Sequence, residues 1–175
     1  MDHRRIILAS KAGGKGAVLE IVESALAAEL LDPGREFWVA SPWLSDVPVL
    51  DNSTGGYTTL CPDFPRSRVP VSHVLGELIL RGTNVHVVTR PEEGWTVVRA
   101  IAAVAGDVAA RRLHHITTPD LHVKVILGRG MALRGSMNLT YSGIEFLDEL
   151  ESFTTDPREI AEIRAELQSK YGGGT

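Results

Sequence analysis

Apolar positions along this chain switch between two periods. GAVLEIVESALAAELL (residues 16–31) spaces them for one face of a helix, and Asp32-Pro33-Gly34 stops it. EFWVAS (36–41) is a short apolar run bounded by polar residues, the pattern of a buried strand. HVLGELILRG (73–82) predicts a second helix closed by Gly82, NVHVVTR (84–90) a strand, and TVVRAIAAVAG (96–106) a third helix. LHHIT, LHVKVIL, MALRGS and ELESFTT predict further strands of one sheet. Helix and strand alternating in this way call for an α/β layered fold, with crossovers between strands and active residues at strand ends.

Two regions depart from that rhythm. Between about residues 43 and 70 periodicity is lost and Asp, Ser, Gly and Pro accumulate, as in DNSTGGYTTLCPDFPRSRVP, which predicts a long loop that gates substrate or binds a partner. PREIAEIRAELQSKY predicts a C-terminal amphipathic helix over about 157–170, with Asp156 as N-cap and Pro157 at its first position. At 175 residues the chain suffices for one well-buried core and is short for two, so residues 1–175 are read as one domain. A single cysteine, Cys61, excludes an intrachain disulfide. The start MDHRRIILASKAGG lacks the apolar region and cleavage site of an export signal, and no run approaches a membrane span. The expectation is a cytoplasmic protein with no membrane partner.

The chemistry concentrates in LHVKVILGRGMALRGSMNLTYSGIEFLDELE, residues 121–151. Side chains alternate along a strand, so His122 and Lys124 project to one side while Leu121, Val123 and Val125 pack on the other. Gly128-Arg129-Gly130 reads as a tight turn that leaves Arg129 in solvent. Gly135-Ser136-Met137-Asn138 and Glu149 follow. With six histidines and four lysines, a His-x-Lys arises by chance in roughly one such chain in seven. Gly-Ser-x-Asn alone is ordinary turn chemistry. The ordered combination is what carries information: a nucleophile, a cation and amide donors for phosphate oxygens, and a carboxylate to orient the histidine.

That order resembles the phospholipase D superfamily, whose signature runs His-x-Lys, a hairpin, then Gly-Ser-x-Asn, followed by glutamate in its nucleases with one motif per chain. FWVASPWLSD and VSHVLGELILRGTNVHVVTRP look like the early half of such a domain. Where many members carry aspartate after the motif lysine, this chain has Arg129, and its spacer before Gly135 is slightly shorter. The resemblance implies a mixed β-sheet flanked by helices and a metal-independent phosphodiesterase. His122 would be the nucleophile, Lys124, Ser136 and Asn138 the phosphate donors, and Glu149 the partner of His122, with Glu151 on the same strand face as its rival. No second His-x-Lys occurs, which implies a homodimer with both copies of His122 at a shared site.

For the substrate, the compact one-motif form resembles bacterial nucleases and implies DNA or RNA. SPWLSDVPVLDN also resembles phospholipase D-like subunits of bacterial DNA-modification and antiviral defence systems, which implies further subunits as partners. Ser41 and Trp43 at a strand end, with Arg66 and Arg68 in the long loop, are candidate substrate contacts. A non-catalytic dimeric scaffold is the alternative reading. A phospholipase is disfavoured because no amphipathic segment rich in Lys and Arg is present.

Other signals are weaker. SKAGGKGAV lacks the Gly-Lys-Ser/Thr of a phosphate-binding loop, because Gly16 follows Lys15. His114 and His115 fall on opposite faces of a strand, and no Cys or carboxylate cluster joins them or His122, so neither metal nor other cofactor is expected. His73, His86, Trp38 and Trp43 suit core or rim positions. The net charge of −4 divides unevenly: residues 1–144 hold 15 basic and 14 acidic side chains, whereas 145–175 hold 3 and 8. The acidity belongs mostly to the tail, and broad, tight, sequence-independent DNA binding is not expected.

Overall fold

A computed structural model describes residues 3–9, 15–145 and 149–172. Its strands are β1 (Arg4–Ala9), β2 (Glu36–Ala40), β3 (Pro48–Asp51), β4 (Arg68–Pro70), β5 (Asn84–Thr89), β6 (Leu113–Thr117), β7 (Val125–Leu127), β8 (Ala132–Gly135) and β9 (Glu149–Thr154). The helices are α1 (Lys15–Leu31), α2 (Val71–Leu80), α3 (Trp95–Ala105), α4 (Ala109–Arg112), α5 (Tyr141–Glu145) and α6 (Pro157–Tyr171). Seven strands form one mixed sheet in the order β1-β9-β8-β7-β2-β5-β6. β2, β5 and β6 run parallel, and every other neighbouring pair is antiparallel. Parallel neighbours need long crossovers; α2 lies between β2 and β5, and α3 between β5 and β6.

The strand alternation buries two separate cores. One face presents Phe37, Val39, Val85, Val87, Ile126 and Leu133 to a cluster that includes the buried positions of α1, α2 and α3. The opposite face presents Trp38, Ala40, Val88, Val125 and Leu127 to Ile160, Ile163, Leu167 and Tyr171, one stripe of α6. Asp156 caps α6 by accepting from the Arg158 N–H at 2.8 Å, with Pro157 in the first turn. Within the first core α2 and α3 approach closely at Gly76, where a methyl group would meet Val104 at 2.5 Å.

Three features differ from the sequence reading. The stretch 43–70 contains a small antiparallel sheet, β3 with β4, and buries Val47, Val49, Leu50, Cys61, Phe64 and Val69 in the first core. Asn52, fully buried, ties it together by donating to the Pro65 carbonyl at 3.0 Å and accepting from the Tyr57 N–H at 2.8 Å. The segment is a packed layer of the fold rather than a bare loop. Its apolar residues are spaced by turns, so no helix or strand period is visible in the sequence. RRIILA, unassigned from sequence, forms edge strand β1 against β9.

The third difference concerns LHVKVIL, whose ladder starts only at Val125. Its neighbours explain this. On one side β2 leaves the sheet after Ala40, the partner of Val125, and Pro42 has no N–H to offer. On the other side β8 ends at Gly135, whose N–H reaches the Lys124 carbonyl at 3.3 Å.

Candidate active site

Because both flanking strands stop there, His122 stands beyond the ladder as an exposed side chain. Alternation nonetheless persists: Leu121 is buried, Val123 packs against the α6 core and Val125 is buried. Lys124 lies half-buried, its ammonium donating to the His122 carbonyl at 2.8 Å. Both residues border a cleft of about 870 Å³ that also includes Val123, Val125, Ser136 and Glu151 and is closed on one side by α6. Arg4, Arg134 and Lys170 border it against a single further acid, Glu166. Arg134 is paired with Glu159 across to α6.

The turn after β8 is fixed from both sides. The Ser136 N–H donates to the Leu150 carbonyl at 3.2 Å, and the Ser136 hydroxyl accepts from the Leu150 N–H at 3.0 Å. Ser41, 2% exposed at the end of β2, donates its hydroxyl proton to the Trp43 carbonyl at 2.6 Å and accepts from the Leu139 N–H at 3.2 Å. Its oxygen is also 3.4 Å from Asn138 Oδ1. Ser41 therefore clamps the main chain beside Asn138. Asn138 is half-buried against Ser41 and does not line the main cleft.

Glu151 is the buried carboxylate of this region, 2% exposed, and accepts from the Met137 N–H at 2.8 Å. Gly135 sits directly across β8–β9 from it, and any side chain there would run into the Leu150 carbonyl and the Glu151 carboxylate. The glycine is thus required by a close approach. The side chain of Glu149 lies outside the described part of the structure; its main chain pairs with Ala9. Residues 10–14, the start of the rejected phosphate-loop stretch, also lie outside it.

Arg66 and Arg68 are exposed beside the β3–β4 sheet and do not line the cleft. Arg129 occupies the exposed tip of the β7–β8 turn, paired with Asp32. That turn is held against α1 by Glu29, which accepts from the N–H groups of Gly34 and Arg129, each at 2.8 Å. Burial pushes the Glu29 carboxyl above its ordinary pKa, against the opposing pull of those two bonds.

One pair has no place in the sequence reading. Arg90, which follows β5, lays its guanidinium 4.6 Å from the centre of the Trp43 ring, and its Nε donates to the carbonyl of Leu121 at 3.1 Å. Leu121 immediately precedes His122. A cation at the carboxyl end of a parallel strand was the available signal, since ligands in α/β sheets bind outside those ends.

His114 and His115 do face opposite ways. His86 stacks between Trp38 and His114 at centroid distances of 3.9 and 4.7 Å, across registered positions of β2, β5 and β6. His115 bonds Thr89 at 2.8 Å and meets the Trp95 ring edge-on. Thr89 donates its own proton to the Glu93 carbonyl, so His115 Nε2 carries a hydrogen. Among the described residues no three His, Cys, Asp or Glu side chains gather where they could hold a metal ion. No helix of the described residues is long and apolar enough to cross a membrane.

This architecture, a seven-stranded mixed sheet flanked by helices, is the phospholipase D-like fold. Solved structures similar to the chain include Nuc of Salmonella typhimurium, a phospholipase D family member (TM-score 0.57, 12% identity, covering 95% of this chain and 91% of that one). NucT of Helicobacter pylori matches with TM-score 0.57 and 10% identity, over 95% and 93% of the two chains. Polyphosphate kinase of Porphyromonas gingivalis matches with TM-score 0.60 and 10% identity, over 94% of this chain and 23% of that one. No protein-family model matches the sequence, and no curated protein matches it.

Proposed function

We propose that this chain is a metal-independent phosphodiesterase that cleaves nucleic acid through a covalent phosphohistidine. The observation that carries the reading is that His122, Lys124, Ser136 and Glu151 all border one open cleft together with further cations. The phospholipase D-like fold and its likeness to Nuc support the same chemistry.

In this mechanism a nitrogen of one His122 attacks phosphorus, the bond to the leaving oxygen breaks, and the partner's His122 protonates that oxygen. The partner's His122 then takes a proton from water, whose oxygen attacks phosphorus and displaces the first imidazole. Diester and water give monoester and alcohol. Lys124 from both subunits, with Asn138 and Ser136, stabilises the non-bridging oxygens in the five-coordinate transition state. Glu149 orients the imidazole, and Ser41 holds the Asn138 turn in place.

A homodimer is part of the proposal, since one chain supplies one histidine. Ile6 and Leu150, 68% and 54% exposed, line the same cleft, an apolar surface suited to a second copy. The proposed setting is a bacterial modification or antiviral defence complex in which other subunits hold the DNA. The near balance of charge over residues 1–144 fits that division of labour.

The test is cleavage of labelled single- and double-stranded DNA in excess EDTA, wild type against His122→Ala, with light scattering for the dimer. Cutting that survives EDTA and disappears in H122A, with the dimer retained, is expected. A wild type that cuts no nucleic acid, or an H122A that cuts as well, refutes the reading; in the latter case a scaffold role takes its place.

A further inference from the structure

We infer that Arg90, braced on Trp43, binds the phosphate next to the scissile one and so directs the site to single-stranded nucleic acid; this deepens the phosphodiesterase reading and rests on it. The segments leaving β2 and β5 run side by side here: the Ser41 N–H reaches the Val88 carbonyl at 3.0 Å, and the Arg90 N–H reaches the Pro42 carbonyl at 3.4 Å. Trp43 and Arg90 are thereby brought together at the rim. The guanidinium is fixed by two contacts, the Trp43 ring at 4.6 Å and the Leu121 carbonyl at 3.1 Å. The second of these joins the main chain one residue before the nucleophile.

Both contacts leave the two terminal nitrogens of Arg90 with no protein partner among the described residues. A planar cation held by its stem and one face, with its fork open, is the arrangement that takes a phosphate. Its anchor is the carbonyl one residue before His122, and Arg90 itself does not line the cleft that His122 borders, which suits a neighbouring phosphate rather than the one under attack. Trp43 is 42% exposed. Two further exposed aromatic residues belong to segments at this end: Trp95 opens α3 just after β5, and Tyr141 follows Asn138 and donates to the Asp46 carbonyl at 3.2 Å. Rings of this kind stack on bases only when those bases are unpaired.

The experiment measures binding of fluorescein-labelled single-stranded and duplex oligonucleotides by the intact protein across a salt series, for wild type, Arg90→Gln and Arg90→Lys. One lost phosphate contact reduces the slope of log affinity against log salt by about 0.7. R90Q is expected to lose that much slope and to bind several-fold more weakly at low salt, while R90K, keeping the charge, retains the slope. If R90Q does not fold, Arg90→Met, which keeps the stem over Trp43, carries the same expectation. An unchanged slope in R90Q, an equal loss in R90K, a preference for duplex, or no binding by wild type overturns the inference. Hydrolysis of bis(p-nitrophenyl) phosphate by wild type reports separately on the parent reading, because that diester has no neighbouring phosphate. A protein that binds with an Arg90-dependent slope yet hydrolyses neither substrate keeps the phosphate site and loses the phosphodiesterase.

Discussion

Replacing Glu151 by alanine should unfold this protein at a markedly lower temperature, and the size of the drop follows from what the carboxylate touches. Glu151 is buried and accepts the Met137 N–H at 2.8 Å. Alanine leaves that buried N–H without its acceptor, which costs about 1–3 kcal/mol. The lost side-chain methylene adds about 0.8 kcal/mol. The sum is roughly 2–4 kcal/mol, and for a domain of this size each kcal/mol moves the midpoint about 2–4 °C, so a fall near 8 °C is expected by circular dichroism. Glutamine keeps the volume and an acceptor for Met137 and loses only the charge assistance, about 1 kcal/mol; E151Q should fall by only a few degrees.

The same pair of variants separates bracing from catalysis. Met137 lies between Ser136 and Asn138, so Glu151 acts on these two proposed phosphate donors through their main chain. Under the proposed mechanism Glu149→Gln should lower kcat at an unchanged melting temperature, whereas E151A should lower both. An E151A that melts within a degree of wild type refutes the bracing argument. An E151Q as inactive as H122A, beside an active E149Q, transfers the orienting role from Glu149 to Glu151.

Gly135→Ala should be severely destabilised, by 2 kcal/mol or about that as a minimum, because its methyl meets the Leu150 carbonyl and the Glu151 carboxylate; urea denaturation measures it, and a neutral result contradicts the β8–β9 approach. Acid should also weaken the fold through His86. Burial, aided by the His114 ring and opposed by Glu36, lowers its pKa from 6.5 to about 4. The unfolded chain therefore binds more protons between those values, and the stability His86 contributes is present above 6.5 and lost as pH falls toward 4. His86→Phe, which keeps a ring against Trp38, should flatten the fall of melting temperature between pH 7 and 4; an unaltered pH profile refutes the assignment.

Legibility in the sequence tracked the strength of the local period. The stripes of α1, α3 and α6 repeat every three to four residues, and β2 and β5 are short apolar runs, so these elements could be read directly. β1 carries Arg4 and Arg5 before its apolar residues, as an edge strand tolerates, and β3 and β4 are too short to show alternation. For the candidate site, the motif offered His122, Lys124, Ser136 and Asn138, of which the first three border the cleft and Asn138 stands against Ser41. Alternation placed Glu149 and Glu151 on one face but carries no information on depth; the burial of Glu151 comes from its position opposite Gly135. Arg66 and Arg68 offer charge on a segment that leaves the strand end after Ser41, but the packing of 43–70 into the core puts them outside the cleft. Arg90, distant in sequence from His122, meets the Leu121 carbonyl because the segment after β6 turns back at the carboxyl end of β5, where the Thr118 N–H reaches the Thr89 carbonyl.

The charge of the whole chain is a poor guide to what this surface attracts. Screening confines an exposed charge to about 8 Å at physiological salt, so a phosphate at the cleft responds to the groups around it and not to a net −4. Arg4, Lys124, Arg134 and Lys170 border that cleft beside two acids, and one of these cations, Arg134, is already paired with Glu159. The net charge is not set at α6, which holds three acids and three bases; the surplus comes from residues 145–156, with five acids and no basic side chain. Under the proposed function, such a cleft attracts anions locally without a broad basic surface. Affinity for a long polyanion would then depend on a few well-placed cations such as Lys124 and Arg90, and removing one should be felt far more strongly than its share of the total charge.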